Sequence, residues 1–336
     1  MKKYVIPIVV KYWQDDWIQK NETSILIKEP NVTKEYVSKT IDEYLKKAKS
    51  TDLVEVNFSG IDTEQKEDLL ESAYEYVLTG KISDIKVTTR PNCINKSFLK
   101  MLKKYKIKKI ELEVASTNDY ILKRLGIEYN YEDIKKASKM VRWNRFKLGF
   151  QVFVGVPEST KIDDINTVKS LIKLKPKSIS LSPTLVFKDT PLEEEYEKEK
   201  YKPLTVVQAV ETCEEIVKIL NQKKLETIAI GYGLLDNDIE QLELAEKVKD
   251  GPFHPSFRQL VESSLWYDAI VNKIKKLNVK VSQVEVTVNP ADINNVVGYK
   301  QENILNLKDT YEVELIINSD ENMKQGKSKI EVTNQF

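Results

Sequence analysis

Along the chain, short apolar runs alternate with longer stretches in which apolar residues recur every three or four positions. The runs at 4–10, 53–58, 85–89, 108–114, 148–154, 178–182 and 226–230 predict strands, and the stretches at 34–49, 63–78, 96–104, 131–144, 163–174 and 204–223 predict helices. A strand followed by a helix, repeated this often, predicts a parallel sheet, because parallel neighbours need a crossover connection that a helix supplies. Such a series builds either a partial or full (β/α) barrel or an open doubly wound sheet, and periodicity alone suits both. A helix over 255–276 closes this region, after which the pattern changes to a strand at 279–288, a helix at 290–297, a link at 298–301, a helix at 302–307 and strands at 311–317 and 328–332. The expected organisation is a barrel-type domain over residues 1–278 and a small α+β module over 279–336.

Composition narrows the class. Of 336 residues, 41% are hydrophobic and 31% charged, which suits a soluble globular protein and excludes a disordered chain, collagen or a membrane bundle. Lys and Arg number 53 against 52 Asp and Glu, so no global field draws in nucleic acid or an anionic membrane, and any such binding needs a local patch. The apolar start at 4–10 is short, broken by Pro7 and followed by Lys11, Asp15 and Asp16, so it reads as a first strand and not as a leader. No run approaches the ~20 apolar residues that span a bilayer, and no membrane association is expected. Two cysteines, Cys93 and Cys213, lie 120 positions apart, which argues against a disulfide framework and for a reducing, cytoplasmic setting.

The search for catalytic groups is largely negative. His254 is the single histidine, so a zinc site of two or three imidazoles is out of reach, and its place between prolines at a helix start suits capping or packing. There is neither a P-loop nor a GxGxxG, and each cysteine reads as a structural thiol. The stretch 96–109 holds seven lysines and no acid, a basic patch if not simply a solvated face.

Six segments carry more information together than singly: KVTTRPNCI at 86–94, KKIELEVAST at 108–117, FKLGFQVFVGVPEST at 146–160, LKPKSISLSPTLVFKDTPLEEEY at 174–196, YKPLTVVQAVE at 201–211 and GPFHPSFRQLVESSL at 251–265. In this order they resemble the radical SAM proteins related to the catalytic subunit of elongator, in a bacterial form without an acetyltransferase domain. The resemblance runs nearly end to end. It implies an α/β fold, a partial (β/α) barrel of TIM type, and, for active members of the family, a four-iron four-sulfur cluster, S-adenosylmethionine and action on the wobble uridine of tRNA.

This chain departs from the family where that chemistry would sit. The family's C-x-x-x-C-x-x-C follows the first strand; here the segment reads VKYWQDDWIQKN at 10–21, without cysteine. The family's glycine-rich stretch after the second strand is missing, since Val56-Asn57-Phe58 runs directly into Ser59-Gly60-Ile61. Glu113 stands at a position that is glycine in the family. The expectation is a pseudoenzyme with no cofactor, acting as a binding or regulatory module for RNA such as tRNA or for a protein partner such as an active relative. Candidate RNA contacts are Lys100, Lys103, Lys104, Lys106, Lys108, Lys109 and Lys300. The altered mouth of the cofactor site comprises Trp13, Asp15, Asp16, Trp17, Arg90, Glu113, Gln151 and Lys188. Tyr12, Trp13 and Trp17 either present an apolar face to a partner or fill the vacated cavity. The alternative is an enzyme with cluster-independent chemistry at that mouth, using Asp15, Asp16, Arg90, Glu113, Gln151, Ser182 and Lys188.

The tail has the strand, helix, loop, helix, strand order of a minimal KH core, and VVGYKQENILNL at 296–307 resembles its GxxG loop, with Gln301 in place of the second glycine. Residues 280–336 hold 6 Lys against 9 acids, a balance unfavourable to phosphate, so a small docking module is the expected role of this segment.

Overall fold

The computed structural model describes residues 3–10, 32–49, 51–62, 66–231, 245–277 and 280–335. The segment 11–31, with Tyr12, Trp13, Asp15, Asp16 and Trp17, lies outside the described residues, so the expectations placed on it are not addressed by the structure.

The principal sheet contains β1 (Lys3–Val9), β2 (Leu53–Ser59), β3 (Asp84–Thr89), β4 (Lys109–Val114), β5 (Lys147–Val154) and β6 (Ser178–Pro183). The short β7 (Val186–Phe187) leaves it to pair antiparallel with β9 (Val248–Asp250), while β8 (Glu226–Ile230) completes it. All pairings in the sheet are parallel, and the strands lie in the order β1-β2-β3-β4-β5-β6-β8. That order decides between the two architectures the periodicity left open. Parallel crossovers are right-handed, so a series that always steps the same way puts every helix on one face of the sheet and curls the other face into the lumen of a partial barrel.

The crossovers are α1 (Lys34–Lys47), α2 (Glu67–Leu78), α3 (Lys96–Lys104), α4 (Asp119–Arg124) with α5 (Tyr131–Trp143), α6 (Lys161–Ile172), and α7 (Pro191–Glu197) with α8 (Val206–Gln222). Their starts are written in the sequence. Asn130 and Asp133, Thr160 and Asp163, and Thr205 and Gln208 form reciprocal capping boxes, and Thr33 and Asn95 accept from the backbone of the first turn. On the helix side, Val56, Phe58, Val87, Ile110, Leu112, Phe150, Val152 and Leu181 are buried, as are Leu70, Leu99, Leu102, Ile134, Val141 and Leu171 of the helices. No helix among the described residues is long and apolar enough to cross a membrane.

The second compact unit comprises residues 256–336 with the single turn 213–218 of α8. It contains α9 (Phe257–Lys275), β10 (Val281–Val288), α10 (Ile293–Val297), α11 (Glu302–Tyr311), β11 (Glu314–Ser319) and β12 (Ser328–Gln335). Strand β10 is central, parallel to β11 and antiparallel to β12. The division thus falls near 255 and not near 278. Ile270, Val271 and Ile274 of α9 share one core with Val281, Val284, Val286 and Leu307, so this helix belongs with the C-terminal sheet. The apolar stripe of a helix is legible in sequence, but not the surface against which it packs.

Candidate functional site

Successive side chains of a strand point to opposite faces, so the lumen face can be read at every second residue. On β2 these are Glu55, Asn57 and Ser59; on β3, Lys86 and Thr88; on β4, Lys109, Glu111 and Glu113; on β5, Gly149 and Gln151; on β6, Ser178, Ser180 and Ser182. A polar row runs across the sheet. Lys86 Nζ donates to Glu111 Oε2 at 2.7 Å, Ser180 Oγ to Glu111 Oε1 at 3.0 Å, and Thr88 Oγ1 to Asn57 Oδ1 at 3.1 Å. The Lys86 and Glu111 side chains are each only 4% exposed, so this is a desolvated ion pair whose charges depend on each other. Gly149 is required beside it: a Cβ there would lie 2.8 Å from Glu111 Cγ and 2.9 Å from Ser178 Oγ.

One register step towards the C-terminal end of β4, Glu113 is treated differently. It is buried, its Oε1 is 3.4 Å from the Ser59 hydroxyl, and its Oε2 has no hydrogen-bond partner among the described residues. Burial pushes its carboxyl up to about 8; the Arg90 guanidinium pulls the other way without prevailing. Near neutrality Glu113 is therefore largely protonated, with a proton available to donate. Tyr129 fixes the strand there by donating to the Glu113 carbonyl at 3.2 Å, and its phenol is likewise raised by burial. Nearby, in the turn Pro91–Cys93, burial also pushes the Cys93 thiol up, which disfavours a thiolate.

The loop after β5 is locked. Asp164 accepts from the Gly155 backbone at 2.9 Å and from Ser159 Oγ at 2.6 Å, and Tyr201 donates to the Gly155 carbonyl at 2.7 Å. Gly155 has a φ of +73°, and a Cβ would meet Leu204 at 2.6 Å. Desolvation raises the Asp164 carboxyl to about 6.

The structure brings some of the sequence candidates together and separates others. Arg90 and Glu113 lie near the exits of neighbouring strands, and Gln151 Nε2 donates to Ser182 Oγ at 3.0 Å on the same lumen face. Lys188 is held elsewhere, since its ammonium donates to the Glu246 carbonyl beside the small sheet of β7 and β9. The lysine cluster divides. Lys104 pairs with Glu67 at 2.7 Å, and Lys109 pairs with Glu55. Lys103 donates to Asn144 at 2.7 Å, whereas the exposed Lys106 and Lys108 sit where the chain enters β4, the end of the strand opposite to Glu113. Lys300 is in the second unit, at φ 50°, in a loop where Gln301 takes φ 65° without being glycine. Sequence reading missed the row of Lys86, Thr88, Glu111 and Ser180, although polar residues at alternate positions of otherwise apolar strands were its visible signal.

The resemblance raises a concrete question of fit. A four-iron cluster of the family's kind takes three thiolates and leaves one iron open, and this chain has two cysteines, one in the turn after β3 and the other buried in α8. The donor set does not fit that group, and no step is assigned through it.

Residues 21–171 match the Radical SAM superfamily and residues 176–267 match the Radical_SAM C-terminal domain. The chain belongs to the radical SAM superfamily. It is 28% identical over 152 residues to an uncharacterized protein of Methanocaldococcus jannaschii, covering 44% of this chain and 47% of that protein. It is 25% identical over 128 residues to the tRNA uridine(34) acetyltransferase of the same organism, covering 37% of this chain and 24% of the enzyme. The matches thus span about half and a quarter of those relatives. Archaeal Elp3 of Methanocaldococcus infernus, solved with an N-terminal deletion, has the same fold with a TM-score of 0.58 at 18% identity, over 81% of this chain and 63% of that one.

Proposed function

We propose that this chain is a radical SAM superfamily member that does not assemble the family's cluster and S-adenosylmethionine site, and that it works as a binding or regulatory module for RNA. The observation that carries the first half is the count of two cysteines against three thiolate positions. Supporting it, the lumen is crossed by an internally satisfied row through Lys86, Glu111 and Ser180, with a buried protonated Glu113 above it. For the second half, two relatives are named as acting on a tRNA uridine, and a fold that has given up its reaction can retain the class of macromolecule it recognises.

The test has two arms. Anaerobic reconstitution of the purified chain with iron and sulfide is expected to leave no bound iron and no visible cluster absorbance; about four irons per chain would overturn the first half. Titration with bulk tRNA across a salt series is expected to give affinity that falls linearly in log–log form with salt, the mark of phosphate contacts. Absence of binding at low salt would overturn the second half and direct the search to protein partners.

A further inference from the structure

We propose that the end of the barrel at which the chain enters β4, β5 and β6, opposite to the family's cofactor end, is a docking surface for the backbone of a single-stranded RNA segment. The proposal rests on the binding reading above and names the surface that carries it out. The turns into these three neighbouring strands repeat one pattern of cation, buried apolar residue, cation: Lys106-Ile107-Lys108, Arg145-Phe146-Lys147 and Lys175-Pro176-Lys177. Adjacency is fixed by the backbone. The Lys147 amide donates to the Lys108 carbonyl at 2.7 Å and the Lys177 amide to the Leu148 carbonyl at 2.8 Å, while Arg142 reaches the Leu174 carbonyl at 3.3 Å. Neighbouring strands lie about 4.8 Å apart, so the three pairs form a comb of closely spaced charges.

No carboxylate among the described residues neutralises that comb. All six cations are exposed, and among the described residues none pairs with a carboxylate. The stretches 134–157 and 165–188 contain no Asp or Glu at all, whereas Asp84 opens β3 on one flank; on the other the turn into β8 adds the exposed Lys223 and Lys224 before Glu226 opens the strand. Its first cations also stand where their backbone disfavours them. Lys106, Arg145 and Lys175 have φ of 53°, 68° and 57°, a left-handed conformation that any Cβ makes costly. In the turn into β3 that conformation is taken by Gly80, at φ 72°. A cation in place of the glycine this backbone favours puts a charge at each of the three turns; Lys106 also lays its ammonium 5.9 Å from the Tyr74 ring centroid.

Trp143 adds a second kind of contact. It ends α5 two positions before Arg145, is 73% exposed, and carries the Lys139 ammonium 4.3 Å from its ring centroid. An indole held in solvent among cations is a platform on which a base stacks, and a line of point charges beside it matches the alternation of phosphate and base along a single strand.

The experiment titrates the full chain with labelled oligouridylate over a salt series. The variant Lys106→Gly/Arg145→Gly/Lys175→Gly removes three charges while installing the residue that this backbone favours, so loss of folding does not confound it. It is expected to lower the salt slope by about 2, three phosphate contacts at ~0.7 each, and to weaken binding at least tenfold at low salt. Trp143→Ala is expected to weaken binding about 5- to 160-fold with the slope unchanged, the range of a lost base stack. Lys39→Ser/Lys46→Ser, on the exposed face of α1, serves as the charge-loss control and is expected to bind as the parent does. If the parent binds and the glycine variant binds equally well, the assignment of this surface falls while the binding reading stands. If the parent binds neither oligouridylate nor tRNA, that reading fails and this proposal with it. Binding to anionic phospholipid vesicles, lost in the glycine variant, with no binding to RNA, would reassign the surface to a membrane.

Discussion

Glu113 shows how a single residue couples the lumen to solution conditions. Its carboxyl is held protonated up to about 8 in the folded chain, against an ordinary value of 4.5. Between those limits the folded state binds a proton that the unfolded state does not, so stability is highest at the acid end and falls as the pH rises, by up to about 1.4 kcal/mol per pH unit. Asp164, raised to about 6, contributes with the same sign over a narrower window. Glu113→Gln keeps the shape of the side chain and removes the titration. The variant is expected to be more stable than the parent at about pH 8 and to lose less stability between about pH 5 and pH 8, as read from urea midpoints; equal pH dependence of the two proteins would show that this carboxyl ionises freely. At this scale the sequence singled out Glu113 by its departure from a family glycine. Its protonation was not legible, because it depends on the burial of this lumen position, which arises only when the strands assemble.

The cross-strand row is a property of elements in register. Lys86, Glu111 and Ser180 are far apart in sequence, and only the pairing of β3, β4, β5 and β6 sets Glu111 between Thr88 and Gly149. Removing one member of a buried ion pair leaves its partner charged and desolvated, at a cost of about 3–5 kcal/mol. Lys86→Met is therefore expected to destabilise the chain by that amount. Lys86→Met/Glu111→Gln should recover most of the loss, because a glutamine at 111 still accepts from Ser180 and leaves no charge. Equilibrium denaturation of the three proteins decides it: a double variant no better than the single one would mean that the row acts through shape and not through charge. The elements themselves were legible, since strand and helix periods, capping boxes and turn residues are local. The partners of each strand were not.

For the whole molecule, the placement of α9 is the clearest correction to the sequence reading. Ile270 is buried in the core that β10 and α11 share, so Ile270→Ala is expected to cost the C-terminal unit about 2–5 kcal/mol and to speed hydrogen exchange at Val284 and Val286. Unchanged protection in β10 would return the helix to the barrel and the boundary to 278. Composition, the alternation of strand and helix, the capping signals, the family segments and the count of two cysteines were determined by the sequence alone, because each is a local or additive property of the chain. The tertiary structure decided the singly wound order of the strands, the helix that closes the second unit, the satisfied pairing of Lys86 with Glu111, and the meeting of three basic turns on one rim. Each of these joins residues tens of positions apart, and their contact follows from the register and handedness of the crossovers, which no local pattern encodes.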